Sequence, residues 1–263
     1  MAFVRANGVV LHYDVRGADG RPPLVFCNSL GTDFRIWNGV AERLAGDYRI
    51  VLYDKRGHGL SEATPGPYAM TMLVEDLAAL LDHLSIDRAA IVGISVGGMI
   101  AQGLAALRPD LVAALVLMDT AHRIGTGEGW NARIGSVTDK GMNSVADGIL
   151  QGWFTDAYRT GMPDFAGYRA MLTRNDVEGY AGVCAALRDA DLTESSRALK
   201  VRTLCMTGDG DLTTTPAIMR STADLIEGAR FEVVADARHL PCIEQPDTVS
   251  NLIRGFLDTT EYA

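Results

Sequence analysis

Long apolar runs are missing from this 263-residue chain. No stretch reaches the roughly 18 uncharged apolar residues that a membrane-spanning helix needs. The first residues also lack a basic segment followed by an apolar one, so they do not resemble a secretory signal. These absences exclude a membrane partner and lead us to expect a cytoplasmic protein.

Cysteine and positive charge are both scarce. The four cysteines form no C-x-x-C pair, and Cys27 and Cys205 lie in apolar strand-like runs, which favours buried free thiols over disulfides or a zinc site. The 24 Lys and Arg residues stand against 33 Asp and Glu, a formal net charge of −9. Nucleic-acid binding needs a basic face, so this balance argues against a nucleic-acid partner.

The deficit of positive charge is uneven along the chain. Residues 120–200 hold nine Lys and Arg against ten Asp and Glu, whereas the remainder holds fifteen against twenty-three. The middle segment is therefore the less unfavourable place for an anionic ligand. A solvated surface without a function explains the same counts equally well.

Hydrophobic residues make up 48% of the chain, enough for one large core or a core with a cap. Strand-like runs recur, and helical patterns separate several of them, which predicts a mainly parallel sheet covered on both faces. The first two runs have no helix between them, so the sheet should begin with an antiparallel edge. The runs are Val9–Val15, Leu24–Cys27, Ile50–Asp54, Ala89–Ile94, Ala114–Asp119, Arg202–Thr207 and Phe231–Val234.

The clearest helical pattern covers Thr71–Leu84, where leucines recur on one face and Thr71 is a candidate N-cap. The alternation of strands and helices stops between about residues 124 and 200, which are helix-like without clear strands. An insertion between two strands predicts a helical cap. We therefore expect a core of residues 1–123 and 201–263 and a cap of residues 124–200.

One strand-like run ends in the pattern Gly-x-Ser-x-Gly at Gly93–Gly97, and a helix-like segment, Met99–Leu107, follows. Strand, sharp turn with a serine, then helix is the context that gives this pattern meaning. The turn strains the serine backbone and is tolerated only beside residues without side chains. Ser95 is therefore the candidate nucleophile. The pattern alone arises by chance in roughly one such chain in seven, as a plain Gly-rich connection.

A serine hydroxyl needs a base, usually a histidine that a carboxylate orients. After a turn of this kind the chain order is serine, acid, histidine. Only His239 leaves room for an acid in a strand-end loop between itself and Ser95. The other histidines lie in an early strand, in the turn after a strand, on the leucine-rich helix and at the start of the cap: His12, His58, His83 and His122.

The acid is expected in the loop after the run at residues 202–207. Asp211 is preferred over Asp209, because the glycine that follows Asp209 suits a turn and Asp211 lies further round the loop. Asp119, at the end of its own strand-like run, is the alternative acid. A helix-capping or turn role is the alternative interpretation of Asp211.

A tetrahedral intermediate needs two N–H donors aimed at its oxyanion. The backbone amide of Val96, immediately after the nucleophile, is the first candidate. The second should come from the loop after the Leu24–Cys27 run, where the backbone amide of Leu30 is the candidate and Gly31 permits a close approach.

Together these segments resemble the α/β-hydrolase superfamily over essentially the whole chain. More narrowly they resemble the 3-oxoadipate enol-lactonases, although esterases and perhydrolases share much of the narrower pattern. The segments that carry the resemblance are the loop Asn28–Asp33, the turn Asp54–Ser61 in the place of the D-x-R-G-x-G-x-S turn, the serine turn Gly93–Met99, the Asp211 loop and the histidine loop Ala237–Pro241. The resemblance implies an α/β fold with a mostly parallel eight-stranded sheet, flanking helices and a helical cap inserted after the sixth strand.

The resemblance also implies an activity. It is hydrolysis of an unsaturated γ-lactone with a carboxymethyl side chain, which releases 3-oxoadipate in aromatic catabolism through an acyl-enzyme. In that scheme Ser95 attacks, His239 takes its proton and Asp211 holds the imidazole. No metal or organic cofactor is required.

The carboxylate of such a substrate needs a cationic or multi-donor contact. Arg123, beside the entrance to the cap, and Arg188 are candidates, with an ordinary surface role as the alternative for each. Trp130 and Trp153 are candidates to line the pocket, and packing between cap and core is the alternative for both.

Three other functions remain open. A carboxylesterase or a cofactor-free perhydrolase-like enzyme would use the same three residues. A non-catalytic receptor of the same fold would capture a small lactone, and some such receptors keep a complete triad. A dehalogenase is disfavoured, because its chemistry places a carboxylate where this chain has Ser95. Homo-oligomerisation is left open.

Overall fold

The structure is a computed structural model that describes residues 1–258. One eight-stranded sheet, with strand order β1-β2-β4-β3-β5-β6-β7-β8, organises these residues. The strands are β1 (Ala2–Ala6), β2 (Val9–Arg16), β3 (Pro23–Cys27), β4 (Arg49–Tyr53), β5 (Ala89–Ile94), β6 (Val112–Met118), β7 (Thr203–Gly208) and β8 (Arg230–Val234).

Helices flank the sheet and fill the long connections. They are α1 (Asn38–Leu44), α2 (Met70–His83), α3 (Val96–Leu107), α4 (Gly127–Lys140), α5 (Asn143–Trp153), α6 (Asp156–Gly161), α7 (Phe165–Thr173), α8 (Val177–Asp189), α9 (Thr193–Ala198), α10 (Pro216–Ala223), α11 (Pro241–Glu244) and α12 (Pro246–Leu257). Within the described part of the chain, no helix is long and apolar enough to cross a membrane.

The sheet is antiparallel at one edge and parallel elsewhere. β2 pairs antiparallel with both β1 and β4, and every pairing from β4 onward is parallel. β5 and most of β6 are buried along their length, as expected for strands covered on both faces. These pairings confirm the predicted mainly parallel sheet with an antiparallel edge.

Two details differ from the sequence expectations. β1 matches none of the seven predicted strand-like runs, because its residues alternate between half-buried and exposed and so form no apolar run. Helix α2 begins at Met70, so Thr71 lies inside its first turn and does not cap it. The residue at the cap position is Ala69, whose side chain makes no capping hydrogen bond.

Six helices, α4 to α9, lie between β6 and β7. Helix α8 meets the turn that follows β4 so closely that a Cβ added to Gly179 would lie 2.6 Å from the Cα of Gly57. Two glycines therefore make a backbone-to-backbone contact where the inserted helices meet the rest of the molecule. The division into a core and a cap remains our proposal for the domain boundaries.

All four cysteines are buried and free, which confirms the prediction for Cys27 and Cys205. Burial raises the pKa of the Cys27, Cys184 and Cys205 thiols to about 12. The pKa of the Cys242 thiol is raised well above its ordinary value for the same reason. The thiols therefore stay protonated near neutral pH.

Candidate active site

Ser95 lies in the sharp turn between β5 and α3 with φ of 56° and ψ of −123°. A positive φ is strained for a residue with a side chain. A Cβ on Gly93 would lie 2.3 Å from the carbonyl oxygen of Gly97, and a Cβ on Gly97 would lie 2.2 Å from that of Cys27. The turn can form only with glycine at both places. It leaves Ser95 at the N-terminus of α3, where the helix dipole favours negative charge.

His239 and Asp211 meet at the ends of neighbouring parallel strands. Asp211 follows β7 and His239 follows β8, and 2.8 Å separates Asp211 Oδ2 from His239 Nδ1. Both side chains are buried. The Thr214 hydroxyl donates to Asp211 Oδ2 at 2.7 Å, and the Thr213 and Thr214 amides donate to Asp211 Oδ1 at 2.7 and 3.2 Å.

These contacts decide the charge of Asp211. Burial opposes ionisation, but the His239 side chain and the hydrogen bonds outweigh it and hold the pKa of Asp211 well below its usual value. Asp211 is therefore a carboxylate at neutral pH. An ionised acceptor at Nδ1 fixes the ring and leaves Nε2 as the nitrogen that can take a proton.

Asp119, the alternative acid, has different partners. Its Oδ1 accepts from the Gly208 amide at 2.9 Å and from the Thr207 hydroxyl at 3.2 Å. Burial, followed by the nearby negative charge of Asp211, raises the pKa of Asp119 well above its usual value. Asp119 is thus harder to ionise than the neighbouring Asp211. The two carboxyls and His239 could offer ligand atoms to a cation, since these atoms lie within 4.8 Å of one another, but the Asp211–His239 pairing suits proton transfer better.

The loop after β3 has two backbone amides that are engaged in hydrogen bonds. The Gly31 amide donates to His58 Nε2 at 2.9 Å, and the Thr32 amide donates to the Ser29 carbonyl at 3.3 Å. Among the residues that the structure describes, no hydrogen bond engages the Leu30 amide. The Leu30 amide is therefore available to an oxyanion, as are the amides of Asn28 and Ser29, which are likewise unbonded within the described part of the chain, and Leu30 lines the cavity with Ser95. The roles of Leu30 and Val96 stay predictions.

One small cavity of about 70 Å³ joins residues from both parts of the molecule. Its walls include the candidate nucleophile and base together with aromatic and basic side chains of α4, α5 and α8. Ser95 itself is only 6% exposed. The principal residues around the cavity are Ser29, Leu30, Ser95 and His239 from the core, and Trp130, Arg133, Ile149, Trp153 and Tyr180 from the inserted helices.

The structure does not bring Arg123 to this cavity, so the candidate for carboxylate binding must be corrected. Arg123 is exposed and lies 3.7 Å from Asp191. Arg188 donates instead to Asp189 and Asn131. Arg123 is exposed in the loop before α4 and Arg188 is partly exposed on α8, and neither lines this cavity.

Arg133 is the arginine that lines the cavity, and the sequence analysis missed it. Its guanidinium carbon lies 5.2 Å from the centre of the Trp130 ring, a cation–π distance. Trp130 and Arg133 are three residues apart on α4 and so share a helix face. That spacing is the signal that could have identified Arg133, since Trp130 was already a candidate lining residue. Trp130 and Trp153 both line the cavity, although their role toward a substrate stays a prediction.

Two buried residues in the turn after β4 contact the loop after β3, although Lys55 was not a site candidate and His58 was considered only as an alternative histidine. Lys55 donates to the Ser29 carbonyl at 2.6 Å, and His58 accepts from the Gly31 amide. Burial, followed by the charge of Lys55, lowers the pKa of His58 well below its ordinary value, so its ring is neutral and can accept. The turn therefore supports the loop that carries Leu30.

Comparisons with known proteins identify the family and the fold. A sequence model described as the alpha/beta hydrolase fold matches residues 22–136. The chain is 33% identical to 3-oxoadipate enol-lactonase 2 of Acinetobacter baylyi, over 96% of this chain and 94% of that protein. It superimposes with a TM-score of 0.95 on the enol-lactonase of Burkholderia xenovorans LB400, at 38% identity over 98% of this chain and all of that one. A malate-bound thermophilic esterase of Thermogutta terrifontis gives a TM-score of 0.92 at 27% identity, over 98% of each chain.

Proposed function

Because this chain belongs to the α/β-hydrolase family and is a carboxylic-ester hydrolase, we propose that it cleaves a small enol-lactone that bears a carboxylate. The specific reaction is 3-oxoadipate enol-lactone to 3-oxoadipate, in aromatic catabolism. The observation that carries the proposal is the cavity lined by Ser95, His239 and Arg133, with His239 bonded to Asp211. Full-length similarity to proteins named enol-lactonases supports the choice of substrate.

Acylation begins when Ser95 Oγ attacks the lactone carbonyl carbon and His239 Nε2 takes the hydroxyl proton. Asp211, bonded at Nδ1, stabilises the imidazolium that forms. The carbonyl oxygen becomes an oxyanion, which accepts from the amides of Leu30 and Val96. When the intermediate collapses, the ring C–O bond breaks and His239 returns the proton to the leaving oxygen.

The leaving group is an enol that stays attached to the acyl chain and tautomerises to a ketone. Conversion of the enol to the ketone makes ring opening favourable. A water molecule then gives a proton to His239 and attacks the acyl carbon, which releases Ser95 and a second carboxylate. The whole sequence uses side chains and backbone amides of this chain.

Arg133 supplies the contact that the substrate carboxylate needs. A guanidinium can donate two parallel hydrogen bonds to a carboxylate, and such charge-assisted bonds are stronger than neutral ones. The cavity of about 70 Å³ and its two tryptophans favour a compact substrate over an ester with a long acyl chain. In this proposal the core of residues 1–123 and 201–263 supplies the chemistry, and the cap of residues 124–200 supplies recognition.

The test is a comparison of initial rates on 3-oxoadipate enol-lactone and on short p-nitrophenyl esters, with Ser95→Ala as the control. We expect kcat/KM for the lactone of about 10⁵ M⁻¹s⁻¹ or more, well above the values for the esters. Comparable low rates on all substrates would discard the lactonase proposal and leave a serine hydrolase of other esters.

The two alternative functions make different predictions in the same assay. A carboxylesterase or perhydrolase-like enzyme would prefer the uncharged esters to the lactone. A lactone receptor would release product slowly and accumulate a covalent adduct on Ser95, which intact-protein mass spectrometry would detect as a mass increase. Fast lactone turnover without an adduct excludes both.

A further inference from the structure

The carbonyl of Ser29 is the most heavily hydrogen-bonded acceptor of the loop after β3. It accepts from Lys55 Nζ at 2.6 Å, from the Thr32 hydroxyl at 2.9 Å and from the Thr32 amide at 3.3 Å. Lys55 Nζ also lies 3.4 Å from the Thr32 carbonyl. The contact from Lys55 Nζ is the shortest of these.

Lys55 is an unusual residue for this position, because it is only 1% exposed. A buried ammonium loses its hydration, so it is normally retained only where its partners require it. Among the described residues, the hydrogen bonds of Lys55 run to the two loop carbonyls of Ser29 and Thr32. Burial lowers the pKa of Lys55 to about 7, while the negative charges of Asp54 and Asp33 oppose that change.

The hydrogen bond from Lys55 to the Ser29 carbonyl also orients the N–H of Leu30, which belongs to the same peptide unit. In a trans peptide the C=O and the following N–H point in opposite directions. The Ser29–Leu30 peptide is trans, because the cis bond found in the structure is Gly66–Pro67. With the Ser29 oxygen held down toward Lys55, the Leu30 N–H is directed to the opposite side, and both residues line the cavity that contains Ser95.

We propose that Lys55 is a positioning residue for the reaction: by binding the Ser29 carbonyl it keeps the Leu30 N–H directed at the oxyanion. Without Lys55, rotation of this peptide unit becomes accessible. A rotated peptide would withdraw the Leu30 N–H and turn the Ser29 oxygen, a hydrogen-bond acceptor, toward the developing negative charge. This inference rests on the proposed serine-hydrolase function, in which Leu30 supplies one of the two amides.

The neighbouring contacts from outside the loop do not hold the Ser29–Leu30 peptide. His58 binds the Gly31 amide, and Asn175, at the C-terminal end of α7, donates to the Gly31 carbonyl at 2.8 Å. Both hold the next residue of the loop. The Thr32 donors to the Ser29 carbonyl belong to the same loop, so Thr32 can move together with the Ser29–Leu30 peptide. Lys55 is the anchor of the Ser29–Leu30 peptide that belongs to a different element.

The test compares Lys55→Met with the wild type and with Lys140→Met, a matched change at an exposed lysine of α4. The substrate is p-nitrophenyl acetate, so the result does not depend on the lactone assignment. The bound substrate has no oxyanion, and the negative charge develops only as the transition state is reached. Loss of a hydrogen-bond donor to the oxyanion therefore lowers kcat with little effect on KM. We expect kcat of Lys55→Met to fall about 10- to 100-fold, less than the roughly 10²–10³-fold cost of removing one oxyanion donor outright.

A second readout separates positioning from general damage. A trifluoromethyl ketone forms a tetrahedral adduct with the serine and needs the oxyanion donors, whereas adipate binds without forming one. We expect Lys55→Met to weaken inhibition by a carboxylate-bearing trifluoromethyl ketone by the same factor as kcat. Its affinity for adipate should stay within about twofold, and Lys140→Met should match the wild type in every measurement.

If Lys55→Met does not give folded protein, Lys55→Gln is measured in the same way, because its amide can still donate one hydrogen bond. We expect a smaller loss with the same pattern. A folded variant that keeps kcat and inhibitor affinity would overturn the proposal, as would an equal loss of adipate affinity. Ser95→Ala is assayed alongside: if that variant stays active, the proposed function fails, and if it is inactive, the result for Lys55 stands by itself.

Discussion

The core and the inserted helices reach the same cavity by different means. The core contributes Ser95, Asp211 and His239 from loops at the ends of parallel strands, where backbone geometry and several hydrogen bonds hold each side chain. The inserted helices contribute Trp130 and Arg133 through their side chains, from positions that only helix packing determines.

In the proposed mechanism, the groups at the strand ends carry out the reaction and the side chains of the inserted helices bind the substrate. Groups held at strand ends cannot move without disturbing the sheet, which suits atoms that must stay within hydrogen-bonding distance through a reaction. Side chains on inserted helices can change while the sheet stays the same. We therefore expect substitutions in the core to change kcat, and substitutions in the inserted helices to change the choice of substrate.

The largest expected effect comes from Ser95→Ala. Loss of the nucleophile should lower kcat/KM for every ester and lactone by about 10⁴-fold or more, because the members of a catalytic triad act as a unit. The melting temperature should stay close to that of the wild type, since the change removes one hydroxyl. Steady-state assays with calorimetry check both expectations, and near-normal activity would disprove the assignment of Ser95.

The next effect distinguishes the two candidate acids. Asp211→Asn should lower kcat by about 10³- to 10⁴-fold, because an amide at this place stabilises the wrong tautomer of His239 and cannot balance its positive charge. Asp119→Asn should cost less than about tenfold, because Asp119 does not hydrogen-bond His239 and its Oδ1 contacts can be kept by an amide oxygen. The reverse order of losses, measured on the same substrate, would make Asp119 the catalytic acid.

A smaller and more selective effect is expected at Arg133. Arg133→Met should lower kcat/KM for a carboxylate-bearing lactone by about 10- to 100-fold, the range of a hydrogen bond to a charged group. Activity on p-nitrophenyl acetate should change by less than about threefold. Arg123→Met is the matched control and should leave both substrates unaffected. An equal loss on both substrates would show that Arg133 supports the site as a whole and does not select the substrate.

The smallest effect concerns the contact between the two regions. Gly179→Ala places a methyl group against the backbone of Gly57, so it should lower the free energy of unfolding by about 1–3 kcal/mol. Gly135→Ala on α4, where no heavy atom lies within 4 Å of the added Cβ, should be neutral or stabilising by up to about 1 kcal/mol. Denaturant titrations check the pair, and equal stability of the two variants would contradict the close contact.

The same comparison explains what the sequence could predict. The turn at Ser95 was predictable because only glycine fits at Gly93 and Gly97, a requirement of the local backbone. The Asp211–His239 pairing was predictable because parallel strands bring their carboxyl ends to one edge of a sheet. The sheet, its antiparallel edge and the inserted helices followed from the alternation of apolar runs.

Features that depend on packing between distant elements were not predictable in the same way. Arg123 lies in the loop before α4 and Arg133 lies on α4, and the two are equally basic in the sequence. Only the packing of the folded chain places Arg133 in the lining of the cavity. In the sequence Lys55 is one residue of a polar turn. Nothing in that turn indicates that Lys55 binds the Ser29 carbonyl, which lies 26 residues earlier. β1 was missed because an exposed edge strand needs few apolar residues.

The buried cysteines give the protein a practical property. Since every thiol is enclosed and protonated, maleimide reagents should leave the folded wild-type chain essentially unlabelled. A single cysteine introduced on an exposed position of the inserted helices, such as Lys140→Cys, would then carry a fluorophore without any background substitution. The native sequence is thus already suited to fluorescence measurements that follow the inserted helices during turnover.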